Sequence, residues 1–375
     1  MNLQMERMPK LGFGLMRLPT AEKEPDLERV KAMVDEYMAA GFNYFDTAYV
    51  YHGGQSEKVA KTALVERYPR DSFYLATKLP AWCLKTKEDR DRIFAEQLER
   101  CGVDFFDFYL LHSVEDEGNG PAYEDLDCYS WGVRKKAEGK IRHFGFSFHG
   151  TPAYLEAVLD RHPEIEFVQI QLNYLDWDNP RVQAGRLYEI LRRREIPMVI
   201  MEPVKGGTLA QLAPELETLL RDARPESSPA SWALRFAASL PGVMTVLSGM
   251  SSEEQMRDNL ATFRRFEPVS EEERELLEQV RRAFLDVPQI GCTACRYCTD
   301  GCPMSIAIPD IFALENEFRR YKDGFRVRLA YEQLTKEGGK ASDCVACGQC
   351  ENVCPQHLPV IELLREISPR LDKTK

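Results

Sequence analysis

The chain has 375 residues, 44% of them apolar and 29% charged, so it is long enough for two globular domains and is neither disordered nor fibrous in composition. Its 49 Lys and Arg against 60 Asp and Glu give a net charge of −11, which argues against a nucleic-acid partner because phosphate backbones are bound by clustered positive charge. No apolar run reaches the ~18 residues of a membrane span and no signal peptide is evident, so we expect a cytoplasmic protein without a membrane partner.

From about residue 9 to residue 263, short apolar runs alternate with longer amphipathic stretches, a pattern typical of repeated βα units. The strands are predicted at Leu11–Arg17, Tyr44–Thr47, Phe73–Thr77, Phe106–Leu111, His143–Ser147, Phe167–Gln171, Met198–Met201 and Met244–Leu247. Helical spacing lies between them at Leu27–Ala40, Ser56–Val65, Lys87–Cys101, Ala153–Arg161, Gln183–Arg194 and Ser252–Phe263. This count predicts an α/β fold, a (β/α)8 TIM barrel. A doubly wound sheet gives a similar pattern, but no Gly-x-Gly-x-x-Gly follows an early strand.

A charged helical stretch at Glu267–Arg282 and a connection at residues 286–291 lead from this region to a cysteine-rich tail. Within the tail, helical spacing recurs at Ile311–Tyr321 and Phe325–Thr335. The sequence therefore predicts a barrel over residues 1–265, a linker with a helix over 266–290, and a small, mainly α-helical domain over 291–375.

Eight of the 11 cysteines lie in this tail and form two copies of Cys-x2-Cys-x2-Cys-x3-Cys-Pro. The first copy is Cys292, Cys295, Cys298 and Cys302, and the second is Cys344, Cys347, Cys350 and Cys354. Three thiolates on one tight loop can hold three corners of an iron–sulfur cube, whereas the fourth ligates the other cluster. The spacing predicts two [4Fe-4S] clusters with crossed ligands, Cys292, Cys295, Cys298 and Cys354 for one and Cys344, Cys347, Cys350 and Cys302 for the other.

Structural zinc is the main alternative for these cysteines. Zinc sites use separated Cys-x2-Cys pairs and require neither the further cysteines at these offsets nor the trailing proline.

Residues 288–368 resemble the dicluster module of bacterial ferredoxins. The connection between the two motifs is longer than in the compact form of that module, which favours an α-helical arrangement.

Polar residues follow three of the predicted strands, namely Asp46, Lys78 and His112, and Tyr51 lies five residues after Asp46. In a (β/α)8 barrel the carboxyl ends of the strands converge on one mouth, where these side chains would meet. A Lys held by an Asp favours tyrosinate, which makes the phenol a usable proton donor or acceptor near neutral pH. A single Lys at a strand end is more often a surface charge and a buried Tyr is usually core, so the prediction depends on the set.

The first ~265 residues resemble the aldo-keto reductase superfamily through Phe45-Asp46-Thr47-Ala48 with Tyr51, Thr77-Lys78, Leu110-Leu111-His112 and Gly145-Phe146-Ser147. The resemblance implies a catalytic tetrad of Asp46, Tyr51, Lys78 and His112. It also implies reduction of a carbonyl by hydride from a nicotinamide, with Tyr51 as general acid.

The resemblance extends to the nicotinamide cofactor. It places the carboxamide at Ser147 and Gln169 and the adenine at Asp258 and Asn259, and Met201 stands where the family stacks an aromatic ring on the nicotinamide. The family grips the 2′-phosphate of NADPH with Lys, Ser and Arg, and the matching positions here are the uncharged Gly249, Met250 and Gln255. NADPH, NADH and the absence of a nicotinamide all stay open, with Arg257 or Lys205 as substitute cations. Glu202 is expected to pair with Lys205.

Three functions are therefore compatible with the sequence. The first is an oxidoreductase that interconverts a small-molecule carbonyl and alcohol, coupled to electron transfer through two [4Fe-4S] clusters and a redox protein partner. The second is a barrel enzyme that takes its electrons from the clusters and does not use NAD(P)H. The third is a non-catalytic subunit that senses redox state or docks a partner. Because fold alone does not establish an enzyme, the four tetrad residues favour the first two.

Overall fold

The computed structural model describes residues 8–22, 24–116, 118–321 and 324–372. They divide into two compact units. One unit comprises the described residues up to Pro203 together with Ala230–Val269, and the other comprises Val204–Pro229 together with the described residues from Ser270 onward. Within the described residues, no helix combines the length and apolarity that crossing a membrane requires. The domain bounds predicted from the sequence stay a prediction, because the division into compact units groups residues 204–229 with the C-terminal residues and the prediction groups them with the barrel.

The first unit is a closed barrel of parallel strands, as the sequence predicts. Its strands are β1 (Leu11–Gly14), β4 (Tyr44–Asp46), β5 (Tyr74–Pro80), β6 (Phe106–Val114), β7 (Ile141–Phe148), β8 (Phe167–Gln171), β9 (Met198–Met201) and β10 (Val243–Ser248). They follow each other around the barrel in chain order, and β10 closes on β1. The short strands β2 (Thr20–Ala21) and β3 (Glu24–Pro25) form a separate antiparallel pair.

Helices alternate with these strands. In the first unit they are α1 (Leu27–Ala39), α2 (Ser56–Ala60), α3 (Lys87–Cys101), α4 (Asn119–Asp125), α5 (Cys128–Ala137), α6 (Pro152–Arg161), α7 (Ala184–Arg193), α9 (Pro229–Ala238) and α10 (Glu253–Arg264). In the second they are α8 (Pro214–Ala223), α11 (Glu271–Leu285), α12 (Ile308–Tyr321), α13 (Gly324–Leu334), α14 (Gln349–Asn352) and α15 (Val360–Leu371). The sequence patterns predict no helix at α4, α5, α8, α9, α14 or α15.

Local sequence accounts for several helix boundaries. The Asp26 side chain accepts from the Arg29 amide and starts α1, and a capping box between Thr86 and Asp89 starts α3. Helix α3 ends at Gly102, which adopts a left-handed φ of 68° that glycine tolerates without strain. Helix α2 is shorter than predicted because residues 61–65 continue it as a π-turn.

Buried apolar side chains fill the interior of the barrel. Tyr44, Ala76, Phe108, Phe167 and Val199, each from a different strand, belong to one buried cluster. Layers of alternating strand residues of this kind fill a small barrel, so the polar side chains at the strand ends lie above a packed interior. The second unit has its own apolar core, which includes Ile306, Ile311, Phe312, Val327, Tyr331, Leu364 and Ile367.

Candidate functional site

Neighbouring barrel strands bring an ion pair and a phenol together. Asp46 is the last residue of β4, and Lys78 lies in β5, which pairs with β4 in parallel. The Lys78 ammonium donates to Asp46 Oδ1 at 2.6 Å, to the Thr47 carbonyl at 2.7 Å and to Tyr51 Oη at 3.3 Å. All three ammonium protons therefore have acceptors, and one acceptor is the hydroxyl of Tyr51.

Both charges of this pair are removed from water. The Lys78 side chain is 0% exposed and the Asp46 side chain 3% exposed. Burial lowers the pKa of Lys78 and raises that of Asp46, and in each case the charge of the partner opposes the shift. Asp46 Oδ2 has no hydrogen-bond partner among the described residues, so the ammonium is the group that compensates the buried carboxylate. The pair therefore keeps a cation beside Tyr51 only while both members are present.

Tyr51 is held on a tight turn that follows β4. The turn Tyr51–Gly54 contains residues of left-handed φ, including His52 at 51° and Gly53 at 60°. His52 Nε2 accepts from the Leu18 amide at 3.2 Å, which ties the turn to the chain after β1. Tyr51 is buried, and the Lys78 ammonium lies 4.7 Å from the centre of its ring. The turn therefore fixes the phenol against the ion pair.

His112 completes the predicted set from the next strand. Its ring centre lies 5.9 Å from that of Tyr51. The ladder between β6 and β7 shifts register between Leu111 and Val114, and Ser113 has a φ of 59°, as at a β-bulge, which re-aims the side chains beside it. Burial lowers the pKa of His112 well below its usual value, and Nδ1 has no partner among the described residues. The site therefore offers a neutral imidazole with an available nitrogen.

A buried tyrosine that sequence analysis missed fixes the strand ends of Lys78 and His112. Tyr123, from α4, accepts at Oη from the Ala81 amide at 3.0 Å and from the His112 amide at 2.9 Å. Its hydroxyl lies 2.6 Å from the Leu79 carbonyl and 2.7 Å from the His112 carbonyl, either of which can accept its proton. The sequence carries no signal for this role, because a buried Tyr normally indicates core.

A polar layer from the surrounding helices supports the Lys78 backbone. Gln97 of α3 donates through Nε2 to the Lys78 carbonyl at 3.0 Å and to Glu57 Oε1 at 2.8 Å. Tyr109 donates to Gln97 Oε1 at 2.6 Å, and Thr77 donates to Glu57 Oε1 at 2.7 Å. These bonds tie β5 to the neighbouring helices at the position that carries the ammonium, although Glu57 Oε2 has no hydrogen-bond partner among the described residues.

In the second unit the predicted cysteines line two separate cavities, each also lined by apolar side chains. Cys292, Cys295, Cys298 and Cys354 line one cavity, and Cys302, Cys344, Cys347 and Cys350 line the other. Each cavity thus takes three cysteines from one motif and the fourth from the other, the grouping that the spacing predicts.

The arrangement of the thiols fits a cluster better than a single ion. A tetrahedral zinc site with Zn–S bonds of ~2.3 Å would draw its thiolates to within about 4 Å of each other. Among the residues that the structure describes, no three His, Cys, Asp or Glu side chains come close enough to hold a metal ion. The cysteines instead surround open space, and thiolates are the donors that iron–sulfur clusters use.

Comparison with known proteins agrees with this geometry. The profile of the aldo/keto reductase family matches residues 10–282. The chain belongs to the aldo/keto reductase family. The profile of the 4Fe-4S dicluster domain matches residues 291–358, so the chain is an oxidoreductase of this family with an iron–sulfur domain.

Individual relatives cover the barrel. An aldo-keto reductase of Mycolicibacterium vanbaalenii is 29% identical over 259 residues, which are 68% of this chain and 83% of the relative. The holo form of aldo-keto reductase AKR11C1 from Bacillus halodurans matches with a TM-score of 0.59 and 26% identity, over 72% of this chain and 91% of that one. An aldo-keto reductase from Klebsiella pneumoniae in complex with NADPH has a TM-score of 0.57 at 23% identity, over 76% and 94% of the two chains.

The aldo/keto reductase positions for the nicotinamide carboxamide lie on adjacent strands. Ser147 of β7 pairs in register with Gln169 of β8. Ser147 Oγ accepts from the Ser113 amide at 2.8 Å, and Gln169 Nε2 donates to Met201 Sδ at 3.4 Å, a weak acceptor. Gln169 Oε1 is buried and has no partner among the described residues. A buried amide oxygen without a donor fits a carboxamide, which would supply one.

The adenine positions lie on α10. Asn259 is buried and donates to Ser248 Oγ at 2.9 Å, whereas Asp258 is half-buried. Of the positions that replace the 2′-phosphate grip, Met250 is buried, and Gln255 accepts from the Ser251 amide at 2.8 Å through Oε1. The structure therefore brings the predicted adenine residues to the helix after β10, but leaves the neighbouring loop without a charged side chain at the family's grip positions.

One of the two candidate substitute cations, Arg257, is paired with a carboxylate, and the predicted partner of Glu202 is wrong. Arg257 pairs with Glu36 through Nε, at 3.0 and 3.2 Å from the two carboxylate oxygens. Glu202, expected to pair with Lys205, pairs with Arg17 at 3.1 Å. Arg17 follows β1 and Glu202 follows β9, and both strands flank β10, so the closure of the barrel joins residues that are far apart in sequence. Sequence analysis had considered only the neighbour along the chain.

Proposed function

We propose that the chain interconverts a carbonyl and an alcohol with a nicotinamide as hydride carrier and Tyr51 as general acid and base. The observation that carries the proposal is the buried Lys78 ammonium, which donates to Asp46 Oδ1 at 2.6 Å and to Tyr51 Oη at 3.3 Å. A cation beside a phenol stabilises the phenolate, so the hydroxyl gives up its proton more readily than in water. A general acid whose pKa lies nearer to neutral transfers its proton more effectively.

In the direction of reduction, a bound nicotinamide supplies the hydride that the carbonyl carbon accepts. The π electrons of the carbonyl move onto its oxygen, the Tyr51 O–H bond breaks, and the oxygen takes the proton, which leaves an alcohol and a tyrosinate. The Lys78 cation stabilises that tyrosinate until it regains a proton from solvent. Neutral His112 hydrogen-bonds the carbonyl oxygen and orients it toward Tyr51.

We assign the cofactor contacts to the family positions described above. Ser147 and Gln169 bind the carboxamide, Met201 contacts the nicotinamide ring, and Asp258 and Asn259 bind the adenine. The support for the first assignment is the unpartnered Gln169 Oε1.

The decisive experiment replaces Tyr51 with Phe and measures carbonyl reduction together with dinucleotide binding. Loss of the general acid should lower kcat by about 10²–10⁴-fold while the Kd for the dinucleotide stays within twofold of native. Tyr49→Phe is the matched control, because Tyr49 lies in the same segment but donates to Glu96 at 2.7 Å, away from Lys78. Full activity in Tyr51→Phe would contradict the proposal, and so would equal losses in the two variants.

We further propose that the eight tail cysteines bind two [4Fe-4S] clusters, which exchange electrons one at a time with a redox protein. Support comes from the two cavities, each lined by four cysteines. Each cluster carries one electron, whereas hydride transfer moves two together, so direct coupling of the clusters to the barrel would require a two-electron carrier such as a flavin or a substrate that tolerates a radical. Anaerobic reconstitution followed by redox titration should give two one-electron reductions per chain, and a chain that takes up zinc but no iron would contradict the assignment.

A second function is favoured by the uncharged Gly249, Met250 and Gln255, namely a barrel that takes its electrons from the clusters and uses no nicotinamide. Titration with NADPH and NADH, followed by quenching of tryptophan fluorescence, separates the two. Trp82 is a suitable reporter because its ring centre lies 5.1 Å from that of His112. Binding below ~1 mM supports the first function. Without binding, substrate reduction by the dithionite-reduced protein alone would support the second.

A further inference from the structure

A cation lies beside the loop that lacks the family's phosphate grip, but it comes from another part of the chain. Arg17 ends the turn Leu15–Arg17 that follows β1. Its side chain packs on Gly249, since a Cβ on that glycine would lie 3.2 Å from Arg17 Cβ and 3.4 Å from its Cγ and Cδ. Ser251 Oγ also donates to the Arg17 carbonyl at 2.8 Å. The aliphatic stem and the backbone carbonyl of Arg17 thus contact the first and third residues of the Gly249–Ser251 loop.

Arg17 is paired with a carboxylate that is itself held in place. Nη2 of Arg17 donates to Glu202 Oε1 at 3.1 Å, and the side chains are 25% and 15% exposed. Glu202 has a φ of 55°, a left-handed conformation that costs a non-glycine residue about 1 kcal/mol or more. Its carbonyl accepts from Asn173 Nδ2 at 3.0 Å, and Asn173 Nδ2 also donates to Asp176. The backbone is therefore fixed in a costly conformation that places a carboxylate against the guanidinium.

The charges of Arg17 and Glu202 determine which ligands this pair can accept or repel. The Arg17 side chain as a whole is only 25% exposed, so its charge favours an anionic partner, and a fork of N–H donors matches a phosphate as well as a carboxylate. A dinucleotide phosphate that reaches Arg17 can take over its hydrogen bonds, whereas Glu202 would then repel that phosphate. The partial exposure of both side chains allows such an exchange of partners.

We propose that Arg17 binds a phosphate group of the dinucleotide and that Glu202 is its partner in the free protein, which the phosphate displaces. The proposal rests on the nicotinamide-dependent function above. It makes the two members of one ion pair act in opposite directions, since Arg17 attracts the phosphate and Glu202 competes with it.

The test measures Kd for NADPH and NADH by fluorescence quenching and calorimetry in native protein and in Arg17→Gln, Glu202→Gln and the double variant. Arg17→Gln should weaken binding at least tenfold, because a charge-assisted contact to phosphate is lost. Glu202→Gln should tighten binding about two- to tenfold, and this gain should vanish in the double variant. Arg193→Gln is the control, since Arg193 is an exposed arginine paired with Glu156 and has no assigned role toward the cofactor, and it should leave Kd unchanged.

The two dinucleotides identify the phosphate. A loss confined to NADPH assigns Arg17 to the 2′-phosphate, and an equal loss for NADH assigns it to the pyrophosphate. Unchanged Kd values in Arg17→Gln, or weaker binding in Glu202→Gln, would overturn the inference while the proposed function stands. If native protein binds neither dinucleotide, both fall. Arg17→Lys, which keeps a charge but loses the fork, should recover part of the affinity and shows that the position, rather than misfolding, causes the effect.

Discussion

Replacing Lys78 with Met tests whether Lys78 is the group that compensates the buried negative charge of Asp46. The substitution leaves the Asp46 carboxylate buried, with Oδ2 already lacking a partner among the described residues and Oδ1 losing its 2.6 Å contact. Removing one member of a buried pair costs about 3–5 kcal/mol. In Asp46→Asn with Lys78→Met no charge is left, so the cost should fall to the ~1–3 kcal/mol of unsatisfied buried polar groups.

The assay is urea unfolding at pH 8 and pH 5, followed by the fluorescence of Trp131 and Trp232, both buried in the barrel unit. In Lys78→Met, burial without a cation should raise the pKa of Asp46 further, so the unfolded chain holds fewer protons than the folded one between the two pKa values. The destabilisation should therefore be larger at pH 8 than at pH 5. A double variant less stable than the single one, or a cost below ~1 kcal/mol for the single variant, would refute the reasoning. Both variants should lack reductase activity, which separates the stability of the pair from its role beside Tyr51.

Three further predictions concern other parts of the chain. Below pH ~6.5 the unfolded native chain takes up a proton at His112 that the folded chain does not, because burial lowers the pKa of the ring. His112→Gln should therefore reduce the pH dependence of the free energy of unfolding in this range by about 1.4 kcal/mol per pH unit. Cys295→Ala with Cys354→Ala should keep half of the native iron, whereas Cys295→Ala with Cys302→Ala should lose all of it. Gly206→Ala should destabilise the second unit by about 1 kcal/mol or more, because Gly206 has a φ of 63° and a Cβ would overlap the Thr293 carbonyl.

Each of these has a clear contrary result. An unchanged pH slope in His112→Gln would mean that the folded protein protonates this ring as readily as the unfolded chain. Equal iron content in the two cysteine double variants would contradict the crossed grouping seen in the cavities. Unfolding of the second unit can be monitored by the loss of iron absorbance. If Gly206→Ala unfolds at the same urea concentration as the native protein, the Thr293 backbone moves aside without a free-energy cost.

Short apolar runs between turns were the parts of the fold that the sequence predicted best. Strands β8 and β9 lie where expected, because Met198–Met201 is a short apolar run and Phe167–Gln171 carries three apolar residues of high β propensity. Strand β6 was predicted to end at Leu111, where the apolar run stops, yet it continues to Val114 across the bulge. The closeness of Lys78 to Tyr51 followed from barrel topology alone, since strands in a barrel converge at one end.

What the sequence did not predict depends on contacts between distant residues. Helix α5 is not among the helices predicted from the sequence, and it packs so closely on β7 that any Cβ at Gly132 would overlap the Phe144 ring. Tyr123 was overlooked because its hydroxyl serves backbone groups on two other strands. The partner of Glu202 was mistaken because strand closure brings Arg17 close to it.

Barrel closure explains how the cation proposed for the nucleotide can come from a part of the chain far from the loop after β10. Strands β1 and β10 are neighbours, so a side chain after β1 can reach the loop after β10. Gly249 leaves room for the Arg17 stem, because a Cβ at this position would lie only 3.2 Å from Arg17 Cβ. We therefore expect Gly249→Lys to displace Arg17 rather than add a second grip, so that NADPH affinity should rise far less than a new charge would give in an open loop. A full tenfold or greater gain would show that the two cations do not compete for the same space.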